Sequence, residues 1–295
     1  MFGMSERTNR IGRHLQASDG LKKTLAAIEV LGCETVQLFV SNPQGWAEPS
    51  PRADAEEFVR MSREAGIYPV VAHAKYLINL ASPKPDHRER SAQALARELV
   101  AAGDIGAHLV VVHSGSHGGD GEEAGMDRLV EGLDRARELA AGYAGTSGRV
   151  AEPVIENSVG AGTQLCSTFD SLAEAVRRAG VRACVDTAHA HAAGYDLSAL
   201  ERAREVGEEL RAKAGDNVAL IHLNDAKNEM GSHRDGHRRI GEGQVPESSW
   251  PGFFAALPGI PVVMETPYGG PEVDADQVRL VKELAGGLPL LPDGV

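Results

Sequence analysis

In the stretch Ala183-Cys-Val-Asp-Thr-Ala-His-Ala-His191 a short apolar run ends on Asp186, and His189 follows three residues later. At that spacing two side chains share one side of a helical turn. A carboxylate beside an imidazole is a ligand pair for a zinc-like divalent ion. Such a pair on its own is more often a helix cap with a surface histidine. Here, however, the same event recurs along the chain. His73, His113, Glu156, His222 and Glu265 each stand at or beside the end of an apolar stretch, with Val-Val-Ala before His73, Ala-Leu-Ile before His222 and Val-Val-Met before Glu265. A charged group in such a place is costly unless it is paired or bound to a metal. Asp235 and His237 lie two apart in a long loop, where an extended backbone turns both the same way. With His189 they bring the set to nine residues. That is too many for one ion, but with four or five positions per ion and one bridging carboxylate it suits two or three.

These residues can meet only if something gathers the ends of distant strands. Short apolar segments alternate with amphipathic ones eight times, with strands ending at or near Leu15, Phe39, His73, His113, Glu156, Asp186, His222 and Glu265. Helices are expected to begin near Leu21, Asp54, His87, Glu123, Thr168, Leu197, Glu247 and Asp274. The pattern predicts an α/β protein, a single (β/α)8 TIM barrel with a metal site at the C-terminal face of its strands. Residues 11–285 would form the barrel, between a flexible N-terminus (1–10) and a flexible tail (286–295). No Gly-x-Gly-x-x-Gly follows the first strand, which disfavours a dinucleotide-binding doubly wound sheet. Two loops on the site face are long: the Pro-rich Ser41–Pro51, a candidate substrate loop, and Lys227–Val245.

Composition narrows the choice. The net charge of −12 argues against a sequence-independent polyanion binder, although bound cations escape a formal count. No apolar run reaches membrane-helix length and the first residues lack a signal-peptide core, so no membrane partner and a cytoplasmic location are expected. Cys33, Cys166 and Cys184 show no Cys-x-x-Cys spacing and read as buried small apolar residues rather than zinc thiolates.

The phrases His73-Ala-Lys-Tyr-Leu-Ile-Asn-Leu80, Val112-His-Ser-Gly-Ser-His117, Ile155-Glu-Asn157, Val185-Asp-Thr-Ala-His-Ala-His-Ala-Ala-Gly-Tyr-Asp196, His222-Leu-Asn-Asp225, Asp235-Gly-His237 with Gly241-Glu-Gly243, and Met264-Glu-Thr-Pro267 follow one another between about Ile11 and Leu284. In that order they resemble the successive motifs of the endonuclease IV family. The resemblance implies a barrel holding three zinc ions that cleaves double-stranded DNA 5′ to abasic sites in base excision repair, leaving a 3′-hydroxyl. Carried over by residue, it implies His73, His113 and Glu156 at one zinc. Glu156, Asp186, His222 and Glu265 would hold the second, with Glu156 bridging, and His189, Asp235 and His237 the third. A hydroxide held between the first two ions would be the nucleophile, Glu156 acting catalytically with it, and the third ion would face the leaving 3′ oxygen.

The chain also departs from the family pattern. Gln44 and Gly45 stand where an arginine usually enters the DNA stack, Gly236 where a basic residue is common, Ser114 where a proline is usual, and Arg238 replaces a histidine. No ligand is lost. Tyr76 and Leu77 are then the remaining candidates for a wedge beside the lesion, with Gln44 on the neighbouring loop. Lys75, Lys227, Arg234, Arg238 and Arg239 read as a cationic rim for phosphates. A monomer is expected. His14 reads as a contact to phosphate or to the groups beside the ligands, and Asn224 and Asp225 read as neighbours of the ligands or as turn residues. Two rivals use the same residues. A sugar isomerase or epimerase would need only Glu156, Asp186, His222 and Glu265 around a Mn or Mg ion; a DNA-binding barrel without catalysis would accommodate the altered loops.

Overall fold

The computed structural model of the protein describes residues 9–143 and 147–286. Its ten strands are β1 (Ile11–Leu15), β2 (Thr35–Leu38), β3 (Val70–His73), β4 (Leu109–His113), β5 (Glu152–Glu156), β6 (Arg182–Asp186), β7 (Val218–His222), β8 (Asp225–Ala226), β9 (His237–Arg238) and β10 (Val262–Met264). Eight of them, all but β8 and β9, pair in parallel and close into a barrel in the order β1-β10-β7-β6-β5-β4-β3-β2. Antiparallel β8 and β9 form a small hairpin at the base of the loop that follows β7. The helices are α1 (Leu21–Leu31), α2 (Ala55–Glu64), α3 (Pro85–Asp104), α4 (Glu122–Tyr143), α5 (Phe169–Ala179), α6 (Thr187–Ala193), α7 (Leu200–Ala214), α8 (Trp250–Ala256) and α9 (Pro271–Gly286).

Local chemistry explains these elements. Strands such as Leu109-Val-Val-Val are buried and β-branched, as strands covered on both faces must be. Alternate side chains point inward, where Val71, Leu109, Val111, Val154, Cys184, Ala219, Leu220 and Val263 form an apolar cluster of their own. The others point outward into the layer shared with the helices. Helix α5 is bounded by a Thr168–Ser171 capping box and by Gly180 in the left-handed conformation. The barrel is thus filled with hydrocarbon, and the polar residues at its strand ends stand on a dry floor.

The barrel expected from the alternation is present, with local differences. Helix α6 follows β6 without a break and α7 begins at Leu200, so one connection holds two helices where one is expected near Leu197. The cause is Asp186, whose Oδ1 accepts the His189 N–H (2.9 Å) and caps a short helix made mostly of alanines and histidines. Helices α3 and α9 start at Pro85 and Pro271, ahead of His87 and Asp274, because proline is preset for the first helical position. Of the segment 1–10, expected as a flexible N-terminus, Asn9 and Arg10 are described, and both are tied to the barrel. The Asn9 amide donates to the carbonyls of Leu257 (3.0 Å) and Ile260 (2.8 Å), and Arg10 donates to the Gly66 carbonyl (2.7 Å). The remainder of that segment, 1–8, and the tail 287–295 lie outside the described residues. All three cysteines are buried. No helix among the described residues is long and apolar enough to cross a membrane.

Beneath the site, Gly12 of β1 lies against Thr35 of β2 so closely that a Cβ there would sit 1.8 Å from the Thr35 carbonyl oxygen. Backbone cannot rotate away as a side chain can. Gly12→Ala is expected to force the two strands apart and to cost about 3 kcal/mol, read as a lower urea midpoint; an unchanged midpoint would show that β1 and β2 adapt freely.

Candidate metal centre

His73, His113, Glu156, Asp186 and His222 are the last residues of five consecutive strands, and Glu265 is the first residue after β10. The parallel register turns all six into one mouth. His73 Nε2 and His113 Nε2 lie 3.5 and 3.3 Å from Glu156 Oε2. His222 Nδ1 lies 2.8 Å from Glu156 Oε1 and 3.4 Å from Glu265 Oε2, and Asp186 completes that group. The two oxygens of Glu156 therefore serve two different clusters. His189 Nε2 and His237 Nε2 converge on Asp235 Oδ1 at 3.3 and 3.5 Å, a third cluster. His237 Nε2 is also 3.4 Å from Asp186 Oδ2, so Asp186 stands between the second cluster and the third. All nine residues singled out in the sequence come together in three groups.

The remaining atoms of these side chains are tied down. His73 Nδ1 meets the Ala74 carbonyl (2.7 Å) and His189 Nδ1 the Asn157 carbonyl (3.0 Å), each leaving the other nitrogen to face carboxylates. Asn157 grips the Asp186 backbone, accepting its N–H (2.7 Å) and donating to its carbonyl (3.1 Å). Asn224 donates to Asp186 Oδ2 (2.7 Å) and accepts from the Glu265 N–H (2.8 Å), joining two strand ends. Asp225 is buried and accepts from the backbone N–H groups of Gly241 (3.1 Å), Gly243 (2.8 Å) and Val245 (2.9 Å), which closes the loop carrying Asp235 and His237. Gly243 has to be glycine, since a Cβ would meet Asp225 Oδ1 at 2.3 Å. Two contributors are not visible in the sequence pattern. Gln37 lies within apolar β2 and contacts His222, Glu265 and His14, its only signal being an amide in a buried strand. Cys184 is buried, as expected of a small apolar residue, but its sulfur also reaches the Glu156 and His222 cluster. Burial pushes its thiol up to about 12, which keeps it protonated.

The donor set suits cations. Glu156 Oε2 and His237 Nε2 are buried with no hydrogen-bond partner, and each faces a cluster. Such orphaned atoms are costly unless something else satisfies them. Burial raises the Glu156 carboxyl, but the facing His222, His113 and His73 imidazoles outweigh it and hold it well below the usual carboxylate range. Burial likewise opposes ionisation of Glu265, yet His222 and His73 bring it to about 2. A hydrogen bond from His189, against some desolvation, takes Asp235 to about 2. His189 moves the other way: burial opposes its charge, but Asp186, Asp235 and Glu156 raise it to about 10. Glu156, Glu265 and Asp235 are thus held in the ionised form a cation would need, and the proton on His189 is one that an entering cation would displace.

Among the residues expected to touch substrate, Tyr76 is half exposed and stacks on His113, ring centres 5.8 Å apart at 16°. Its N–H donates to the Pro43 carbonyl (3.1 Å), which places the Ser41–Pro51 loop beside it with Gln44 exposed. Leu77 is partly buried, and Lys227 and Arg238 are exposed on the strap that follows β7. Lys75 departs from the expected cationic rim. Its side chain is 1% exposed, and its ammonium reaches the Ser41 hydroxyl, the Asn42 carbonyl (3.2 Å) and Glu98 Oε1 (3.3 Å). It clamps the loop to α3 and does not face solvent.

The closed barrel with ligand groups at its mouth defines a xylose isomerase-like TIM barrel, and the profile of that family matches residues 25–284. Within this class, the probable endonuclease 4 of Haloarcula marismortui is 34% identical over 283 residues, 94% of this chain and 99% of that protein. The crystal structure of endonuclease IV from Thermus thermophilus superposes with a TM-score of 0.81 at 31% identity, over 94% of this chain and 99% of that one. A D-tagatose 3-epimerase-like protein shares the fold at a TM-score of 0.69 and 18% identity, over 94% and 97% of the two chains. This chain belongs to the endonuclease IV family.

The Lys75 clamp has a measurable consequence. Lys75→Met would leave Glu98 buried without its cation, and breaking such a pair costs about 3–5 kcal/mol. The expected outcome is a large loss of stability in urea while the salt dependence of DNA binding keeps its slope. A stable variant whose slope falls by one phosphate contact would return Lys75 to the rim.

Proposed function

We propose that this protein is a three-zinc AP endonuclease, a cytoplasmic monomer that hydrolyses the phosphodiester 5′ to an abasic site in double-stranded DNA and leaves a 3′-hydroxyl. Family membership makes the chain a metal-dependent, DNA-cleaving hydrolase; the kind and number of ions and the lesion are the further steps. The observation that carries them is Glu156, a buried carboxylate whose two oxygens face separate clusters while a third cluster stands beside Asp186. His73, His113 and Glu156 would hold one ion, Glu156, Asp186, His222 and Glu265 a second, and His189, Asp235 and His237 a third. Nitrogen and carboxylate donors in sets of three and four suit zinc. Bound there, such ions provide a nucleophile at neutral pH and offset charge that develops on phosphate and leaving oxygens.

The chain's own groups do the rest. Glu156 fixes the spacing of two clusters and is the residue closest to a catalytic role. Asn157, Asn224 and the Ala74 carbonyl hold ligands in orientation, and the apolar barrel floor excludes water from below. Tyr76 and Leu77 stand at the mouth, where an abasic gap would admit a side chain without a base to unstack. Lys227 and Arg238 are placed to meet phosphates. A sugar epimerase would need only the Glu156, Asp186, His222 and Glu265 group. It leaves His73, His113, His189, Asp235 and His237 without a task.

The purified protein is expected to contain two to three zinc equivalents by elemental analysis and to lose cleavage of a duplex bearing one abasic site after chelation. A single Mn or Mg with no zinc would favour the epimerase. Glu156→Gln is expected to lower the cleavage rate by several powers of ten, each corresponding to about 1.4 kcal/mol of activation barrier. A rate within a few-fold of the parent would remove the shared two-cluster site. Tyr76→Ala is expected to weaken binding of abasic duplex about tenfold, from loss of a stacking surface worth about 1–3 kcal/mol, with zinc content intact. Equal discrimination between abasic and undamaged duplex by parent and variant would reduce Tyr76 to loop packing.

A further inference from the structure

We infer that Gln37 is a positioning residue that decides which ring nitrogen His222 presents to the metal centre, and that it holds Glu265 in register with it. The inference rests on the metal-dependent reading above and concerns a side chain from β2, on the opposite side of β1 from the residues it orients.

Hydrogen-bond chemistry leaves one arrangement. Glu265 Oε1 is 2.6 Å from Gln37 Nε2, and a carboxylate oxygen only accepts, so the amino end of the amide faces it. The second amide proton reaches His14 Nδ1 at 3.0 Å. The carbonyl end, Gln37 Oε1, is then 2.8 Å from His222 Nε2. An amide oxygen also only accepts, so His222 carries a proton on Nε2. Reversing the amide would set an oxygen against the Glu265 carboxylate. His222 is thereby committed to turn Nδ1 toward Glu156 and Glu265, at 2.8 and 3.4 Å.

This differs from how three of the other four candidate ligand imidazoles are held. The outward nitrogens of His73, His189 and His237 face backbone carbonyls, those of Ala74, Asn157 and Glu265, which no substitution removes. His222 depends on a side chain. Gln37 is 0% exposed, so bulk solvent does not compete for these bonds. It joins ligands from β7 and from the end of β10, and removing it frees both at once. Partners of this kind alter metal affinity by about 10- to 100-fold when lost.

The test uses the zinc-loaded protein with 15N-labelled histidine, the His222 signals being assigned with a His222→Gln control. Coordination through Nδ1, with a slowly exchanging proton on Nε2, is the expected spectrum. Coordination through Nε2 would overturn the inference without any Gln37 variant. Gln37→Met keeps the length and removes every hydrogen bond. It is expected to lose the slowly exchanging signal and to hold the zinc at His222 and Glu265 about 10- to 100-fold less tightly in competition with a chromophoric chelator. Wild-type affinity with the signal retained would overturn it. A parent protein that binds no zinc would fail at the earlier step, the proposed function, and would take the inference with it.

Discussion

The centre of this molecule is an unfavourable act, the burial of Glu156. Moving a carboxylate out of water costs several kcal/mol even after the protein relaxes, and here it is set beside two further acids, Asp186 and Glu265, in the same group. Only surrounding positive charge makes that tolerable. Five histidines provide part of it, and a buried carboxylate oxygen left without a hydrogen bond marks where they fall short. The rest of the mouth can be understood as scaffolding for that charge balance: amides on Asn157, Asn224 and Gln37 hold the acids apart, backbone carbonyls turn the imidazoles, and the hydrocarbon floor keeps the dielectric low.

The same balance bears on how an acidic chain meets DNA. A net charge of −12 would repel a polyanion if it were spread evenly. Part of that charge is gathered in the mouth, where bound cations would reverse its sign. Other acids lie on the outer helices in exposed pairs, such as Glu201 and Glu208 with Arg204, which contribute little to stability. With cations bound, charge of one sign at the site and another on the body would orient a ligand before contact.

How much could be read from the chain alone follows from what each signal depends on. Strand ends were legible because an acid or histidine that closes an apolar run is costly to bury and so announces a partner, and Glu156, Asp186 and His222 occupy the expected places. The role of Lys75 is not legible, because linear sequence shows a cation on a site-face loop but not the Glu98 carboxylate that approaches from α3. Gln37 was missed for a related reason: its partners come from residues 14, 222 and 265, and nothing local announces them. Helix α6 escaped because its seven residues lack room for a hydrophobic period, and it exists through the Asp186 cap. Signals carried by one strand survive in sequence; those made by pairs of distant elements do not.

The Asp225 knot has a consequence for how such a site can change over time. By collecting three backbone N–H groups from Gly241 to Val245, it closes the segment between into a ring, braced inside by the Asn228 amide, which donates to the Arg234 and Asp235 carbonyls. That segment carries two of the three ligands of one cluster, Asp235 and His237, and little else of the centre. It behaves as a cassette. Substituting Arg238, which is exposed, would leave the candidate ligands in place, and replacing the segment whole would remove one cluster while leaving His73, His113, Glu156, His222 and Glu265 at their strand ends. In a barrel built in this way, exchanging a single loop would change how many cation clusters the mouth can assemble.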